Sequence, residues 1–434
     1  MTVVRNAVRV GLLGCGVVGG TTARVLTEQA ATLSERAGVR IDLAKVAVRD
    51  LSKPRAVQLP DEVWTADAWG VVKDPTIDVI VETIGGVELA RDLIIEAARS
   101  GKHIVTANKE LLSTRGEQVM GAAEQAGVDL LFEGSVAGGI PIVRPMKESL
   151  AGDRVTRVMG IVNGTTNFIL TRMSETGETF EAALGEAERL GYSELDPSAD
   201  IEGHDAAAKL AILASLAFNA RVVASDVERE GISKVTPEDV AAAHELGYEI
   251  KLLAVAEESE GQVSARVNPA MLPLLHPLAA VRDVFNAVFV VGAEAGELMF
   301  LGRGAGGGPT ASAVVGDIIE IARNIATGGR ATGCTCYHDK AQMRPPHEAN
   351  VRYYVVLSVL DQPGVLAAVA GVFAAHEISI ASVRQEGIGE EATLALITHV
   401  GTEGRHDETF AELEKLDSVR SIDSRLRVVG TAEA

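Results

Sequence analysis

The chain has 434 residues, too many for one compact core, so two or three domains are expected. Its 40 basic and 60 acidic residues give a formal charge of −20, which argues against nucleic acid and membrane surfaces as partners. Apolar residues make up 47% of the sequence, so a large core can be buried and a mainly disordered chain is not expected.

The cysteines and the start of the sequence predict a cytoplasmic location. Cys15, Cys334 and Cys336 are too few for a disulfide framework, and reduced thiols are expected. Cys334 and Cys336 have no second pair to complete a metal site, so an ordinary loop is expected there. No basic segment followed by a cleavable apolar one precedes the first strand, and the apolar stretch 210–218 is too short to span a bilayer.

The first third of the chain alternates apolar strands with helical stretches. The predicted strands are 8–13, 41–48, 78–81, 103–105 and 128–132, and the predicted helices are 17–35, 88–99 and 110–125. This alternation predicts an α/β fold, with a doubly wound parallel sheet that has helices on both faces, over residues 1–134.

The middle of the chain, residues 135–308, has a different pattern. Strands such as 157–162 are mixed with strongly helical runs such as 181–190 and 205–218. We expect an α+β domain that carries the substrate site and the subunit contacts, with a strand order that the sequence does not determine. A further helix at 310–327 belongs to a segment, 309–343, that we expect to pack back on the first domain.

A proline-bearing linker at 344–346 precedes a compact unit in residues 350–434. Its predicted elements are, in order, a strand at 353–360, a helix at 365–375, strands at 378–385 and 392–400, a helix at 407–416 and a strand at 419–429. The order βαββαβ is that of a ferredoxin-like fold, and we expect a separate domain that does not extend the first sheet.

A glycine-rich turn directly after the first strand predicts a dinucleotide site. The run 14–19 has the pattern G-x-G-x-x-G and opens a helix. Gly14 allows the tight turn, Gly16 lets a pyrophosphate approach the backbone, and Gly19 lets helix and strand pack closely. Free N–H groups of Val17 and Val18 at the helix start favour an anion. The first domain is therefore expected to be a Rossmann domain.

The end of the second strand bears on the choice of cofactor. An NAD site usually places a carboxylate here for the ribose hydroxyls, whereas an arginine accommodates a 2′-phosphate. Arg49 precedes Asp50 and Lys53 follows, so the sequence favours NADP. NAD stays open, because Asp50 can take the ribose and Arg49 can be a solvated loop charge.

Two polar segments stand in otherwise apolar settings. Lys109 follows the strand 103–105, at the edge of a doubly wound sheet where ligands bind. Asp205 and Lys209 lie four residues apart and share one face of a predicted helix that is otherwise almost entirely apolar. Each has an ordinary alternative, a surface lysine and an exposed ion pair. If the groups are buried, their proton affinities shift.

Several motifs together resemble the homoserine dehydrogenase family over residues 8–325. They are Gly191-Tyr192-Ser193-Glu194-Leu195-Asp196-Pro197, Asp200-Ile201-Glu202-Gly203-His204-Asp205, Lys209-Leu210, Asn163-Gly164-Thr165-Thr166-Asn167, Gly304-Ala305-Gly306 and the loop from Glu133 to Pro141. The C-terminal unit resembles an ACT domain, a small amino-acid-sensing module that some members of that family carry.

The resemblance implies a reversible, NAD(P)-dependent oxidation of L-homoserine to L-aspartate 4-semialdehyde, in the biosynthesis of threonine, methionine and isoleucine. Lys209 would be the acid–base residue and Lys109 a second lysine beside the reacting oxygen. Glu194, Asp200 and Asp205 would bind the substrate. The acid–base lysine has to be partly neutral to accept a proton, and burial and the neighbouring ammonium are expected to lower its pKa.

The resemblance also completes the cofactor and cation sites. The expected cofactor-binding residues are Gly14, Gly16, Val17, Val18, Gly19, Arg49, Lys53, Thr83, Lys109, Gly191, Gly306 and Gly307. A structural monovalent cation, expected to be sodium, would be bound largely through backbone carbonyls by Glu133, Val136, Gly138 and Ile140.

The ACT-like unit opens with a strand-to-helix turn at 361–366 that contains Pro363 and Gly364 and offers N–H groups to a carboxylate. Threonine is the expected effector at a subunit interface, in a homodimer or larger homo-oligomer; a purely structural dimerisation module is the alternative.

Two other functions fit the sequence less well. An aspartate-semialdehyde dehydrogenase needs a nucleophilic cysteine in mid-chain, and none of the three cysteines is placed for it. A non-catalytic nucleotide and amino-acid sensor stays as the alternative function, against which both lysines and the acids of the cleft argue.

Overall fold

The computed structural model describes residues 7–193, 196–387 and 391–429. Its N-terminal sheet is parallel, with the strand order β3-β2-β1-β4-β5-β6 of a Rossmann fold. The strands are β1 (Ala7–Leu13), β2 (Arg40–Ala47), β3 (Trp64–Thr65), β4 (Val79–Glu82), β5 (His103–Thr106) and β6 (Leu130–Leu131). The helices between them are α1 (Val17–Glu28), α2 (Ala30–Ala37), α3 (Ala68–Lys73), α4 (Glu88–Arg99) and α5 (Lys109–Ala126).

The single helix predicted over 17–35 is wrong. The chain leaves the helical conformation at Gln29, with φ −110° and ψ 17°, and α2 starts afresh. The break brings Leu33 and Ala37 into the core that also holds Val8 and Ile41. Local helix propensity favours an unbroken helix here. The burial of apolar side chains outweighs it and produces the break.

The middle of the chain forms a second, largely antiparallel sheet with the strand order β12-β11-β7-β9-β10. Its strands are β7 (Val155–Ile161), β8 (Glu228–Arg229, parallel to β10), β9 (Tyr248–Ser259), β10 (Gln262–Pro273), β11 (Phe285–Gly292) and β12 (Gly296–Arg303). Its helices are α6 (Gly164–Thr176), α7 (Phe180–Arg189), α8 (Ser198–Ile201), α9 (His204–Phe218) and α10 (Pro237–Glu245).

Helix α9 is the central helix of the molecule. Every residue from Ala206 to Leu216 is buried, as expected for a helix that is apolar on all sides. It lies against β7, β9 and β10 of the second sheet and against α5 of the first domain. The first residues of α5 and α9 therefore meet at the cleft between the two domains.

After the second sheet, α11 (Gly307–Thr327) returns to the first domain and packs on α1. Its buried residues Val314, Ile318 and Ile321 share a core with Val10 and Val81 of the parallel sheet. Single turns complete the first two domains and the linker; the 3₁₀ turns are Asp61–Val63, Glu133–Ser135, Ala224–Asp226, Pro277–Ala280 and Pro346–Glu348, and a π turn is Pro145–Ser149.

The C-terminal unit has the predicted βαββαβ order. Its elements are β14 (Tyr353–Leu360), α12 (Val365–Ala375), β15 (Ile380–Glu386), β16 (Glu391–Thr398), α13 (Glu403–Leu413) and β18 (Val419–Val428), with the short strands β13 (Asn350–Val351) and β17 (Gly401–Thr402) beside them. The unit has its own core, but it is not detached: β18 pairs with β10, so its sheet continues the second sheet.

The expectation of reduced thiols is wrong for one pair, because Cys334 and Cys336 form a disulfide in the loop after α11. Two cysteines separated by one residue are close enough to pair by chain connectivity alone. Cys15 is free and partly buried. Among the helices that the structure describes, none combines the length and apolarity needed to cross a membrane.

Candidate active site

The glycine-rich turn has the tight geometry that its pattern predicts. Gly14 has φ +93°, and a Cβ there would lie 2.8 Å from the Thr83 carbonyl oxygen. A Cβ on Gly19 would lie 2.3 Å from the Gly14 carbonyl oxygen, whereas a Cβ on Gly16 would meet no atom within 4 Å. Of these three glycines, only Gly16 has open space beside its backbone, and exposed Val17 follows it at the start of α1. A pyrophosphate can approach the helix there.

The loop after β2 leaves its two basic side chains in solvent. Arg49 and Lys53 are exposed, whereas the Asp50 carboxylate accepts bonds from the Ser52 amide at 2.9 Å and hydroxyl at 2.6 Å. These bonds lower the pKa of Asp50. The Arg55 guanidinium donates to the carbonyls of Asp50 and Lys53 and lies over the Trp64 ring. Asp50 is thus engaged by its own loop, which leaves Arg49 and Lys53 to meet a ligand.

The carboxylate of Asp205 lies between two ammonium groups. Its Oδ2 is 2.8 Å from Lys209 Nζ, and its Oδ1 is 2.9 Å from Lys109 Nζ. Lys209 Nζ also donates to the carbonyl of Val162 at 2.7 Å. Lys209 and Asp205 are almost fully buried, and Lys109 is partly exposed. The structure therefore brings together the two lysines that were predicted from separate segments.

Asn163, for which the sequence analysis assigned no role, links this cluster to a second carboxylate. Its Nδ2 donates to Asp205 Oδ2 at 2.8 Å and to Asp200 Oδ1 at 2.7 Å, while its Oδ1 caps α6 by accepting the Thr166 amide. Burial raises the pKa of Asp200. The remaining predicted substrate residue, Glu194, lies outside the described residues. The N-G-T-T-N motif marks Asn163 in the sequence, but its contacts with Asp200 and Asp205 are formed only in the folded chain.

The shared carboxylate also sets the direction of the Lys109 pKa. Burial lowers its pKa, but the contact with Asp205 outweighs burial and the net shift is upward. Burial likewise raises the pKa of Asp205, yet Lys209 and Lys109 outweigh it and hold that pKa well below its ordinary range. The i,i+4 spacing predicts the pair of Asp205 with Lys209, but it does not indicate that Lys109 shares the same carboxylate.

A buried glutamate at the end of β4 organises the start of α5. Glu82 accepts the Thr106 hydroxyl at 2.6 Å and the amides of Ile84 and Gly85, and burial raises its pKa. Asn108 caps α5 and donates to the Gly86 carbonyl at 2.7 Å. Lys109 is thus held at the first residue of α5. The only sequence signal for Glu82 is a carboxylate that ends an apolar strand.

The glycines predicted to reach the cofactor from the second domain lie at two places, the start of α11 and the end of α7. Gly306, with φ +110°, caps α11, and a Cβ on Gly307 would lie 3.0 Å from the Val17 side chain. The start of α11 therefore touches the start of α1 beside the glycine-rich turn. Gly191 follows α7 and is exposed; Tyr192, next in the chain, accepts the Thr165 hydroxyl with its carbonyl at 2.7 Å.

The loop at 133–141 suits a cation held by carbonyl oxygens. The Glu133 carboxylate is engaged, accepting the amides of Ile142, Val143 and Arg144 at 2.7–2.9 Å. Val136 and Ile140 are buried, and outside regular helices and strands no described amide donates to the carbonyls of Val136, Gly138 or Ile140. Within the described ranges no cluster of His, Cys, Asp and Glu could bind a metal through side chains. Buried carbonyls of this kind match a hard cation.

A Rossmann domain whose ligand edge faces a buried lysine–aspartate–lysine cluster defines the class of nicotinamide-dependent dehydrogenases. Family models agree along the chain: the NAD-binding domain of homoserine dehydrogenase matches residues 14–133, homoserine dehydrogenase itself matches 141–319, and the ACT domain matches 353–418.

Individual proteins agree as well. A homoserine dehydrogenase of Mycobacterium tuberculosis is 48% identical over 98% of both chains. The crystal structure of a homoserine dehydrogenase from Thiobacillus denitrificans has a TM-score of 0.92 at 40% identity, covering 98% of both chains. A hyperthermophilic archaeal homoserine dehydrogenase mutant in complex with NADPH has a TM-score of 0.62 at 29% identity over 73% of this chain and 97% of its own. The chain belongs to the homoserine dehydrogenase family and carries a C-terminal ACT domain, and a non-catalytic sensor is not favoured.

The tight packing at Gly19 predicts a selective loss of cofactor binding in Gly19→Ala. The added Cβ would lie 2.3 Å from the Gly14 carbonyl, so the turn has to open. Overpacking of this kind costs about 1–3 kcal/mol, or roughly 5- to 150-fold in the dissociation constant. Fluorescence titration with NADPH measures it. Gly20→Ala is the matched control, because its Cβ would meet nothing nearer than Cys15 Sγ at 3.7 Å. Equal NADPH affinity in the two variants would contradict the account.

Proposed function

We propose that this chain catalyses the reversible NADP-dependent oxidation of L-homoserine to L-aspartate 4-semialdehyde. The observation that carries the proposal is the Asp205 carboxylate bound by Lys109 and Lys209 at the ligand edge of a Rossmann sheet. Family membership supports the substrate, and with it a role in the biosynthesis of threonine, methionine and isoleucine.

The lysine pair supplies and removes the proton at the substrate oxygen. A nicotinamide, when bound, supplies or accepts the hydride at C4 of the substrate. In reduction, the Lys209 ammonium donates a proton to the oxygen that becomes the hydroxyl, with Lys109 beside that oxygen. In oxidation, Lys209 takes the hydroxyl proton and must first be neutral.

The substrate ammonium provides a way to free that lysine. Asp205, Asp200 and Glu194 are the residues we assign to it. An ammonium that binds Asp205 competes with the lysines for the same two oxygens, so the attraction that keeps a lysine protonated becomes weaker. Substrate binding would thus lower a lysine pKa at the moment when a base is needed.

Lys209→Ala tests the proposed function. Turnover with homoserine, followed by NADPH absorbance, should fall about 10²- to 10⁴-fold because a general acid–base is lost. The NADPH dissociation constant should stay the same, because the glycine-rich turn is untouched. Lys340→Ala, an exposed lysine that pairs with Asp226, is the control and should keep full turnover. Near-normal turnover of Lys209→Ala would remove Lys209 from the mechanism.

The cation site is assigned to the carbonyls of Glu133, Val136, Gly138 and Ile140, with sodium as the ion. Buried Asp317 supports a structural role, since it accepts the Glu133 amide at 2.9 Å and the Arg144 guanidinium at 2.5 Å and so ties the loop to α11. Gly138, with φ +51°, lies against Gly304 just before the cofactor glycines. The same assay of the unmutated chain, with N-methylglucamine in place of sodium, should lose activity; unchanged activity would argue against the assignment.

Arg49 and Lys53 are assigned to the 2′-phosphate of NADP. Both are exposed, and Asp50 is turned into its own loop, so the carboxylate that would favour NAD is engaged elsewhere. NAD is the alternative cofactor.

Arg49→Ala should reduce the ratio of kcat/KM for NADP over NAD by about tenfold or more, since a charged hydrogen bond is worth about 1.5–3 kcal/mol. Steady-state kinetics with both cofactors measure the ratio. Arg99→Ala at the last residue of α4, the helix end away from the ligand edge, is the control. An unchanged ratio of kcat/KM for the two cofactors would contradict the assignment of Arg49 to the 2′-phosphate.

The ACT domain is assigned a regulatory role, with threonine as effector at the turn before α12. Gly364, with φ +98°, caps α12 without a side-chain bond, so the first amides of the helix face outward. A homodimer is supported by large apolar side chains that stay exposed around the end of β10 and on β11 and β12, namely Leu274, Leu275, Phe285 and Leu301. A monomeric mass by light scattering would contradict the dimer.

Calorimetry of the full chain with threonine should show saturable heat that Gly364→Ala weakens at least severalfold, because a side chain is strained at this positive φ. Gly371→Ala on the same helix is the matched control, with nothing within 4 Å of the added Cβ. If the unmutated protein gives no heat, threonine is not the effector and the alternative of a structural module is favoured.

A further inference from the structure

A cavity of about 400 Å³ lies where the ACT domain joins the second sheet. Its floor is the sheet face opposite the helices, with Arg157, Glu257 and Arg266 from β7, β9 and β10. Its wall is formed by the ACT domain, including Arg352 and Arg427. This cavity is distinct from the lysine–aspartate–lysine cluster, and it is also distinct from the turn before α12.

The charge of this cavity is opposite to that of the whole chain. Its lining holds four arginines, Arg157, Arg266, Arg352 and Arg427, and one carboxylate, Glu257, in a chain whose net charge is −20. A concentration of positive charge on an acidic protein raises the local concentration of small anions.

Two of the four arginines have carboxylate partners. Arg157 pairs with Glu257 at 2.7 Å across neighbouring strands. Arg427 pairs with Glu403 at 2.7 Å and with Glu230 at 3.3 Å, outside the cavity lining. These two guanidiniums are therefore already neutralised.

The other two are not paired with an acid. Arg352 donates to the carbonyl of Thr398 at 3.2 Å. The side chain of Arg266, which lies in β10, forms no hydrogen bond or ion pair with any residue in the described part of the chain. Burial lowers the pKa of Arg266, with Arg427 and Arg157 adding to the effect against Glu257, yet a guanidinium stays charged in proteins. The Arg266 guanidinium is partly exposed, and Glu228, Glu257 and Glu403 act on it without a direct hydrogen bond. Its donors are therefore free to bind an anion in the cavity.

We propose that this cavity binds a small metabolite that carries a phosphate or a pair of carboxylates, held by Arg266 with Arg352. The planar guanidinium donates two parallel bonds to such groups, which a neutral zwitterion with one carboxylate uses less fully. The volume accommodates a molecule the size of a phosphorylated amino acid.

The site has a short connection to the active site. Arg427, at the cavity wall, pairs with Glu230 in the segment after β8. In that segment the Ile232 amide donates to the Ile201 carbonyl at 2.9 Å, next to Asp200. An anion that competes with Glu230 for Arg427 would weaken the contact between the cavity wall and this segment.

Isothermal titration calorimetry of the full chain without cofactor tests the proposal, with O-phosphoserine, L-aspartate and serine as probes. O-phosphoserine or aspartate should give saturable heat, with serine at least tenfold weaker. Arg266→Gln should weaken the binding at least tenfold. Arg154→Gln, at an exposed arginine directly before β7 of the same sheet, should not weaken it. Lys209→Ala should bind as the unmutated chain does, which separates this site from the active site and its result from that of the proposed function.

The proposal is overturned if neither anion gives saturable heat, if Arg266→Gln binds as well as the unmutated chain, or if Lys209→Ala abolishes the heat. Thermal unfolding checks that Arg266→Gln is folded. If it is not, Arg352→Gln decides: a severalfold weaker affinity supports the site, and an unchanged affinity overturns it.

Discussion

One buried carboxylate sets the arrangement of the cleft. Asp205 is almost fully removed from water, and a buried charge without partners costs several kcal/mol. Its partners come from both sides: Lys209 is one turn further along α9, whereas Lys109 is the first residue of α5 in the other domain. The ion pair therefore joins the two domains at the place where substrate and nicotinamide have to meet. Removing Asp205 would leave two ammonium groups facing each other, whereas removing either lysine leaves one ion pair.

The scaffold places this cluster by apolar packing and by a few buried polar contacts. Helix α9 is buried from Ala206 onward between the second sheet and α5, so its polar first turn is fixed at the rim of the cleft. Glu82 and Asn108 hold the start of α5, and Asn163 holds the start of α6 against Asp200 and Asp205. Three helix starts thus converge on one site; Asn108 and Asn163 cap those of α5 and α6, and packing fixes that of α9. In the family's chemistry such fixed donors stabilise charge without reorganising.

Much of this was predictable because its signals are local. The short apolar strands, the glycine-rich turn and the i,i+4 spacing of Asp205 and Lys209 each depend on neighbouring residues, and the ferredoxin-like order of the last unit follows in the same way. The contact of Lys109 with Asp205 spans 96 residues of sequence, and only the packing of α5 on α9 creates it. The upward shift of the Lys109 pKa depends on that contact, so no local pattern indicates it. The break at Gln29 and the pairing of β10 with β18 depend on tertiary packing that no local pattern encodes.

The most direct measurement of the central claim is the pH dependence of homoserine oxidation in Asp205→Asn. Without the carboxylate, two ammonium groups face each other, so the lysine pKa falls and the neutral base appears at lower pH. The acidic limb of the kcat profile should move down by about 1–3 pH units, as for loss of an opposite charge at this distance. Asp196→Asn, an exposed aspartate nearby, should leave the limb in place. A limb that stays unchanged in Asp205→Asn would show that this carboxylate does not control the proton at the active site.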